Sequence, residues 1–213
     1  MVSMAIYNDA GIHLAGFYVT NIPNLMVQSL RMNQLQPNIL VTGTPGVGKT
    51  SLSRQVSERL NLTYIDVGKV VKDENCYTGV DSDFDALELD EDKLIDYLED
   101  KLQIGGYIID FHTPEIFPER WFDLVLVLTC DTEVLYDRLT ARGYLENKIN
   151  ENMECEIMQV VLLAAQESYD ENIVVILTSN NDVDMNSNLS RVAQWYEAWL
   201  INNNNTDNSD DDT

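Results

Sequence analysis

The run Asn38-Ile39-Leu40-Val41-Thr42 reads as a buried strand, and it leads directly into Gly43-Thr44-Pro45-Gly46-Val47-Gly48-Lys49-Thr50. This octet fits the G-x-x-x-x-G-K-[ST] pattern, whose backbone N–H groups cradle phosphates. Gly46 and Gly48 let the chain curl without a Cβ clash, so several amides face one anion. Residues Lys49 to Leu60 alternate polar and apolar at helical spacing, and that helix offers its positive N-terminus to the same phosphates. Lys49 is expected to reach the β- and γ-phosphates of ATP, and the Thr50 hydroxyl to ligate Mg²⁺. A chance match in a glycine-containing turn is set aside because strand, loop and helix follow in the required order. The motif says nothing of the acceptor.

The rest of the chain repeats the alternation. Strands are expected at 63–67, 107–110, 124–128 and 173–177, and helices over 90–102, 131–142, 151–169 and 183–201. Each strand is a continuous apolar run, which predicts a parallel sheet covered on both faces. The fold class is therefore α/β: a P-loop NTPase three-layer sandwich around a central five-stranded parallel sheet. Residues 1–36, with one base (Arg31) and one acid (Asp9) besides His13, lack periodicity and predict an unstructured extension. The kinase-type domain is expected over 37–201. The Asn/Asp-rich segment 202–213 has nothing to bury and predicts a disordered acidic tail.

The chain has 213 residues, 45% of them hydrophobic, which allows one α/β domain with a sizeable core. No apolar run approaches the roughly 20 residues of a membrane helix, so no membrane partner is expected. Acids outnumber Lys and Arg by 36 to 13, for a net charge of -23. Such a surface repels the phosphates of duplex DNA and favours a basic protein, although acidity also serves solubility. Cys76, Cys130 and Cys155 show no paired spacing, so neither a zinc site nor a disulfide framework is indicated.

Scarce bases make placement informative. Asp110 ends the third strand and is the expected second metal-side group, with a strand-end cap as the plain reading. His112 follows two residues on and faces the same side if the strand continues; otherwise it is an ordinary loop histidine. Arg138 and Arg142 share a helix face just before Gly143-Tyr144 and are expected, with Lys49, to stabilise transition-state charge, a flap there carrying Arg142 over the phosphates. Alternatively, both only complement the helix dipole. Arg120 is either a further phosphate contact or a turn-packing salt bridge. Lys72 is a candidate on the acceptor side.

Further motifs are Leu89-Asp90-Glu91-Asp92-Lys93, Asp110-Phe111-His112, Phe117-Pro118-Glu119-Arg120-Trp121, Ala141-Arg142-Gly143-Tyr144, Glu154-Cys155-Glu156-Ile157 and Ser168-Tyr169. With the P-loop, in this order and spacing, the sequence over about 37–201 resembles the adenylate kinase isoenzyme 6 family. These are small nuclear adenylate kinases and ATPases that also act in ribosomal small-subunit biogenesis, and the tail resembles fungal members. The resemblance implies an ATP:AMP phosphotransferase with ATPase activity, an AMP-binding insertion near 66–89 and a short lid near 141–151. It implies ATP contacts from Gly43, Gly46, Val47, Gly48, Lys49, Thr50 and Ser51, with Arg142 from the lid, and Asp110 and His112 as a metal-side, catalytic pair. It further implies a basic small-subunit ribosomal protein and the pre-40S particle as partners, with a role in 18S rRNA processing in cytoplasm and nucleus. Where some relatives carry Arg and Lys, this chain has Lys72 and Asn181, which implies weaker AMP binding and an altered adenine-side contact. A second reading is an ATP-switched assembly factor with little kinase activity. A third, a P-loop kinase for another small acceptor, fits the motif set less well.

Overall fold

The structure, a computed structural model, describes residues 7–8, 11–14, 17–18, 35–81 and 86–206. It divides into two units, 1–33 and 34–213. In the first, β1 (Tyr7–Asn8), β2 (Gly11–Leu14) and β3 (Phe17–Tyr18) pair antiparallel, with Tyr7 opposite Ile12 and His13 opposite Tyr18. The extension predicted to be unstructured over 1–36 therefore contains strand where it is described, and the rest of 1–34 lies outside the described residues. Gln36 belongs to the second unit: its carbonyl accepts from Gly106 N at 3.1 Å and its side chain donates to the Tyr196 hydroxyl at 2.9 Å.

The second unit starts with β4 (Ile39–Thr42), α1 (Lys49–Leu60), β5 (Thr63–Asp66) and α2 (Val67–Asp73). The hairpin β6 (Tyr77–Asp81) and β7 (Ala86–Leu89) follows, then α3 (Glu91–Leu102) and β8 (Tyr107–Asp110). Next come β9 (Leu124–Thr129), α4 (Thr132–Ala141), α5 (Glu146–Ile157), α6 (Val160–Ser168), β10 (Val174–Thr178) and α7 (Asp182–Thr206). The main sheet has the order β10-β9-β4-β8-β5 with every pair parallel. β4 is central, and successive strands leave it in opposite directions. Its carboxyl end is therefore the topological switch point where α/β folds bind ligands.

Strand alternation builds two cores. Leu40, Ile109, Val125 and Val127 join Leu94, Leu98 and Phe122 on one face. Ile39, Val41, Ile108, Leu126 and Leu128 join Leu52, Val56, Leu135 and Val192 on the other. Ile39, Leu40 and Val41 are fully buried, as a central strand between two helical layers requires. Asn38 locks the base of the sheet: its amide donates to Leu102 O (2.7 Å) and Trp121 O (3.0 Å), and its carbonyl accepts from Tyr107 N (3.1 Å).

Two expectations are corrected, for the helix over 151–169 and for the end of the last helix. The single helix over 151–169 is two helices, because Gln159 adopts φ 54 and separates α5 from α6. Most of the segment read as a lid over 141–151 is helical. Gly143 (φ 73) ends α4 in a Schellman turn, with Gly143 N on Thr140 O (2.9 Å) and Tyr144 N on Leu139 O (3.3 Å), and α5 begins at Glu146. The last helix runs on to Thr206, since propagating a helix adds one hydrogen bond per residue even without a core. The remainder of the acidic tail, 207–213, lies outside the described residues. No helix among the described residues is long and apolar enough to cross a membrane.

Candidate nucleotide site

β4 delivers the loop 43–48 to the switch point, and its glycines are required by space. Gly43 has φ 138, and a Cβ there would lie 2.4 Å from Leu128 O. Gly46 has φ 105, and a Cβ there would lie 2.7 Å from Leu135 Cδ1, so α4 presses directly on the loop. Gly48, φ 106, is the N-cap of α1 and turns the chain into that helix. Lys49 Nζ donates to Gly43 O at 2.7 Å and Thr44 O at 3.2 Å, which holds the ammonium inside the curl of the loop. Burial lowers its pKa to about 8; Asp110 pulls the value up and Arg142 pushes it down. Val47 is fully buried, whereas Ser51 stands exposed in the first turn of α1.

Asp110 ends β8 in register with Val41 on one side and Asp66 on the other. It is 6% exposed, and its Oδ2 accepts from the Thr50 hydroxyl at 2.6 Å and the Tyr64 hydroxyl at 3.2 Å. Desolvation raises its pKa, and the Thr50 hydrogen bond and the Lys49 charge oppose that rise. Thr50 Oγ1 and Asp110 Oδ2 thus place two hard oxygen donors at one point beside the phosphate loop. That set fits Mg²⁺, which takes one or two protein oxygens and completes its shell with phosphate and water. Among the described residues no group of three or more His, Cys, Asp or Glu offers an all-protein metal cage. His112 is an exposed residue, but its ring centroid lies 4.6 Å from that of Phe111. Lost hydration, then the Lys49 charge, hold its pKa below the usual value, so the imidazole is neutral.

The two arginines of α4 part company. Arg138 Nη1 donates to Ser179 O (2.8 Å) and Val47 O (3.4 Å), and Nη2 to Asn180 O (3.1 Å). It clamps the β10–α7 turn onto the P-loop. Arg142, the C-cap of α4, is exposed and close enough to depress the Lys49 pKa. Arg120 bonds Glu99 of α3 at 2.7 Å, as the salt-bridge reading expects. Lys72 is exposed near the end of α2, and Asn181 caps α7 by accepting from Val183 N and Asp184 N.

Sequence reasoning missed Tyr64, Cys155 and Glu156. The Tyr64 phenol is raised to about 12 by burial and by Asp110, so it stays a donor. Cys155 Sγ lies 3.9 Å from Thr44 Oγ1, and Glu156 Oε1 accepts from Cys130 N at 2.9 Å within reach of Lys49. Tyr64 had a faint signal, a hydroxyl within an expected strand, but its pairing beside the Asp110 strand is seen only in the sheet. Cys155 and Glu156 stood in a motif of the family resemblance, but their place beside the loop was not readable, because the turn at Gln159 is invisible in a helical pattern.

The model of a family described as an AAA domain matches residues 39–159. The adenylate kinase isoenzyme 6 homolog of Caenorhabditis elegans is 49% identical over 161 residues, covering 75% of this chain and 88% of the relative. The homolog of the same name from Schizosaccharomyces pombe is 49% identical over 166 residues, covering 78% and 95%. Among solved structures, shikimate kinase from Aquifex aeolicus superposes with a TM-score of 0.51 at 13% identity, over 77% of this chain and 98% of that one. Shikimate kinase from Bacteroides thetaiotaomicron gives 0.50 at 16%, over 76% and 99%. These last likenesses speak for the P-loop kinase fold alone.

Proposed function

The chain belongs to the adenylate kinase isoenzyme 6 family, and from that premise we propose that it transfers the γ-phosphoryl group of ATP to AMP, giving two ADP. At the coarser level it is a P-loop, nucleotide kinase-like protein. The observation that carries the finer reading is the Thr50–Asp110 contact of 2.6 Å beside Lys49 at the mouth of the glycine loop. Loop amides and Lys49 would hold the β- and γ-phosphates, and Thr50 and Asp110 would hold Mg²⁺, which would neutralise phosphate charge. Arg142 approaches the γ-phosphoryl from the turn after α4. Phosphoryl transfer needs positioning and charge stabilisation, so no covalent nucleophile is required. AMP enters on the side of α2 and the β6–β7 hairpin, where Lys72 is a base available to it.

Water replaces AMP when no acceptor is seated, and neutral His112 is suited to orient it. The net charge of -23 favours a second role for this ATPase activity, as a switch acting on a basic partner. We propose a basic small-subunit ribosomal protein within the pre-40S particle, with action in small-subunit maturation and 18S rRNA processing in the cytoplasm and nucleus. The alternative weighting makes assembly the main role and kinase turnover minor. One preparation distinguishes them: AMP-dependent ADP formation and AMP-independent phosphate release are measured with and without a basic ribosomal protein. ADP formation with stoichiometric loss of AMP supports the kinase. Absence of both activities from folded protein would remove the whole assignment.

A further inference from the structure

The helix that carries Arg138 and Arg142 has a second face. Leu135, Leu139, Arg138 and Arg142 point toward the P-loop side, where Leu135 and Leu139 touch the space a Gly46 Cβ would fill. Thr132 and Tyr136 flank Leu139 on α4, and Glu133 and Asp137 follow round the helix, away from Leu135. With Met153 of α5 they line an open groove of about 420 Å³. Tyr136 is 51% exposed, Glu133 and Asp137 are exposed, and the Met153 side chain is half-buried against the core. Among the described residues no base pairs with Glu133 or Asp137, although like charges at this spacing on a helix repel.

We propose that this groove docks an arginine-bearing segment of a basic protein partner. The chemistry of the walls selects that occupant. Two carboxylates one helical turn apart suit a guanidinium, and the exposed tyrosine beside them offers a ring for a cation to stack on. Methionine gives the floor a soft surface for the side-chain stem. Arginine suits this better than lysine, whose compact, strongly hydrated ammonium stacks poorly. The groove shares α4 with Leu135, Arg138 and Leu139, so an occupant pressing on it acts on the helix that abuts Gly46 of the phosphate loop. The inference rests on the basic-partner reading only for the charge of the occupant.

The probe is fluorescein-labelled hexa-arginine, titrated against the full chain by fluorescence anisotropy without nucleotide. Glu133→Gln/Asp137→Asn should weaken binding about tenfold, and Tyr136→Ala several-fold. Asp96→Asn/Asp100→Asn removes two exposed carboxylates from α3 and should change binding less than about twofold. Hexalysine should bind several-fold more weakly than hexa-arginine. Equal losses in the groove and α3 variants would reveal diffuse attraction to an acidic surface, and lack of binding to the unaltered chain would remove the site; either result overturns the proposal. Because no nucleotide is present, failure here leaves the phosphoryl-transfer reading standing, and failure of that reading leaves this measurement valid.

Discussion

The Thr50 hydroxyl donates to Asp110 Oδ2 at 2.6 Å, joining the first turn of α1 to the last residue of β8. Sixty positions apart in the chain, the two meet because β8 pairs with β4 in register, Val41 opposite Asp110, and β4 leads into the loop that begins α1. The metal-side pair is thus a consequence of strand order. Replacing Asp110 with Asn keeps an oxygen for Thr50 and Tyr64 but removes the charge. We expect ATP turnover to fall by about 10²-fold and the Mg²⁺ requirement to rise, as read by magnesium titration of the rate. Chelation with EDTA should stop turnover of the unaltered protein and leave its melting temperature nearly unchanged.

Lys49 sits in the curl of the loop on two carbonyls. Lys49→Ala should abolish ATP-dependent ADP formation and phosphate release together. Loss of one charge-stabilising donor costs on the order of 2.7–4 kcal/mol of barrier, and here ground-state binding is lost as well. Near-normal turnover in a folded Lys49→Ala protein would show that the phosphates bind elsewhere.

Gly46 is expected to tolerate nothing larger. Its φ of 105 disfavours any L side chain, and a Cβ would stand 2.7 Å from Leu135 Cδ1 and 3.0 Å from Leu139 Cδ2. Gly46→Ala should lower stability by about 1–3 kcal/mol in urea unfolding and displace α4 enough to impair ATP binding. Equal stability and affinity in the variant would mean that the loop and α4 part freely.

Most of the site was legible in the sequence because its signals are local. The glycine spacing fixed the phosphate loop, and the apolar runs fixed all five strands within a residue or so at each end. Asp110 was readable as the polar end of a buried strand. Arg138 was readable as a base near the phosphates but not as a clamp, since its partners Ser179 O and Asn180 O are backbone atoms some forty residues away, reached only after β10 pairs with β9. The break at Gln159 escaped for a different reason. A left-handed glutamine carries no compositional mark, and the apolar positions on both sides keep a helical spacing.

Alkaline pH should test the turn that follows Asp110 and His112. Tyr169 is 5% exposed, and its hydroxyl donates to Pro114 O at 2.6 Å and Phe117 O at 3.3 Å. Burial, then Glu115 and Glu119, raise its pKa well above the ordinary phenol value of 10.0. Because the folded-state value is raised, the stabilisation is complete below about pH 10 and is lost as pH rises beyond it. Tyr169→Phe should cost about 1–2 kcal/mol near neutrality. The variant should also show a shallower loss of melting temperature above pH 10 than the unaltered protein. Parallel alkaline limbs for the two proteins would contradict this role.

Arg138 and Arg142 lie on one helix face, yet they should fail in different ways. Arg138 commits its guanidinium to Val47, Ser179 and Asn180 carbonyls, so its work is to hold the β10–α7 turn against the P-loop. Arg138→Ala leaves those carbonyls unpaired, at about 1–3 kcal/mol for a buried group left unsatisfied. It should lower the melting temperature and raise KM for ATP. Arg142 is exposed at the Schellman turn, and among the described residues no backbone carbonyl accepts from its side chain. Its charge already reaches Lys49, and a swing of that turn would bring it over the γ-phosphate. Arg142→Ala should therefore leave stability and ATP affinity nearly unchanged and cut kcat by about 10²-fold or more, the cost of one charge-stabilising donor. Thermal melts and steady-state kinetics on both variants check the split. If Arg142→Ala lost affinity at constant kcat, the side chain would be a ground-state contact and the turn would have no catalytic role.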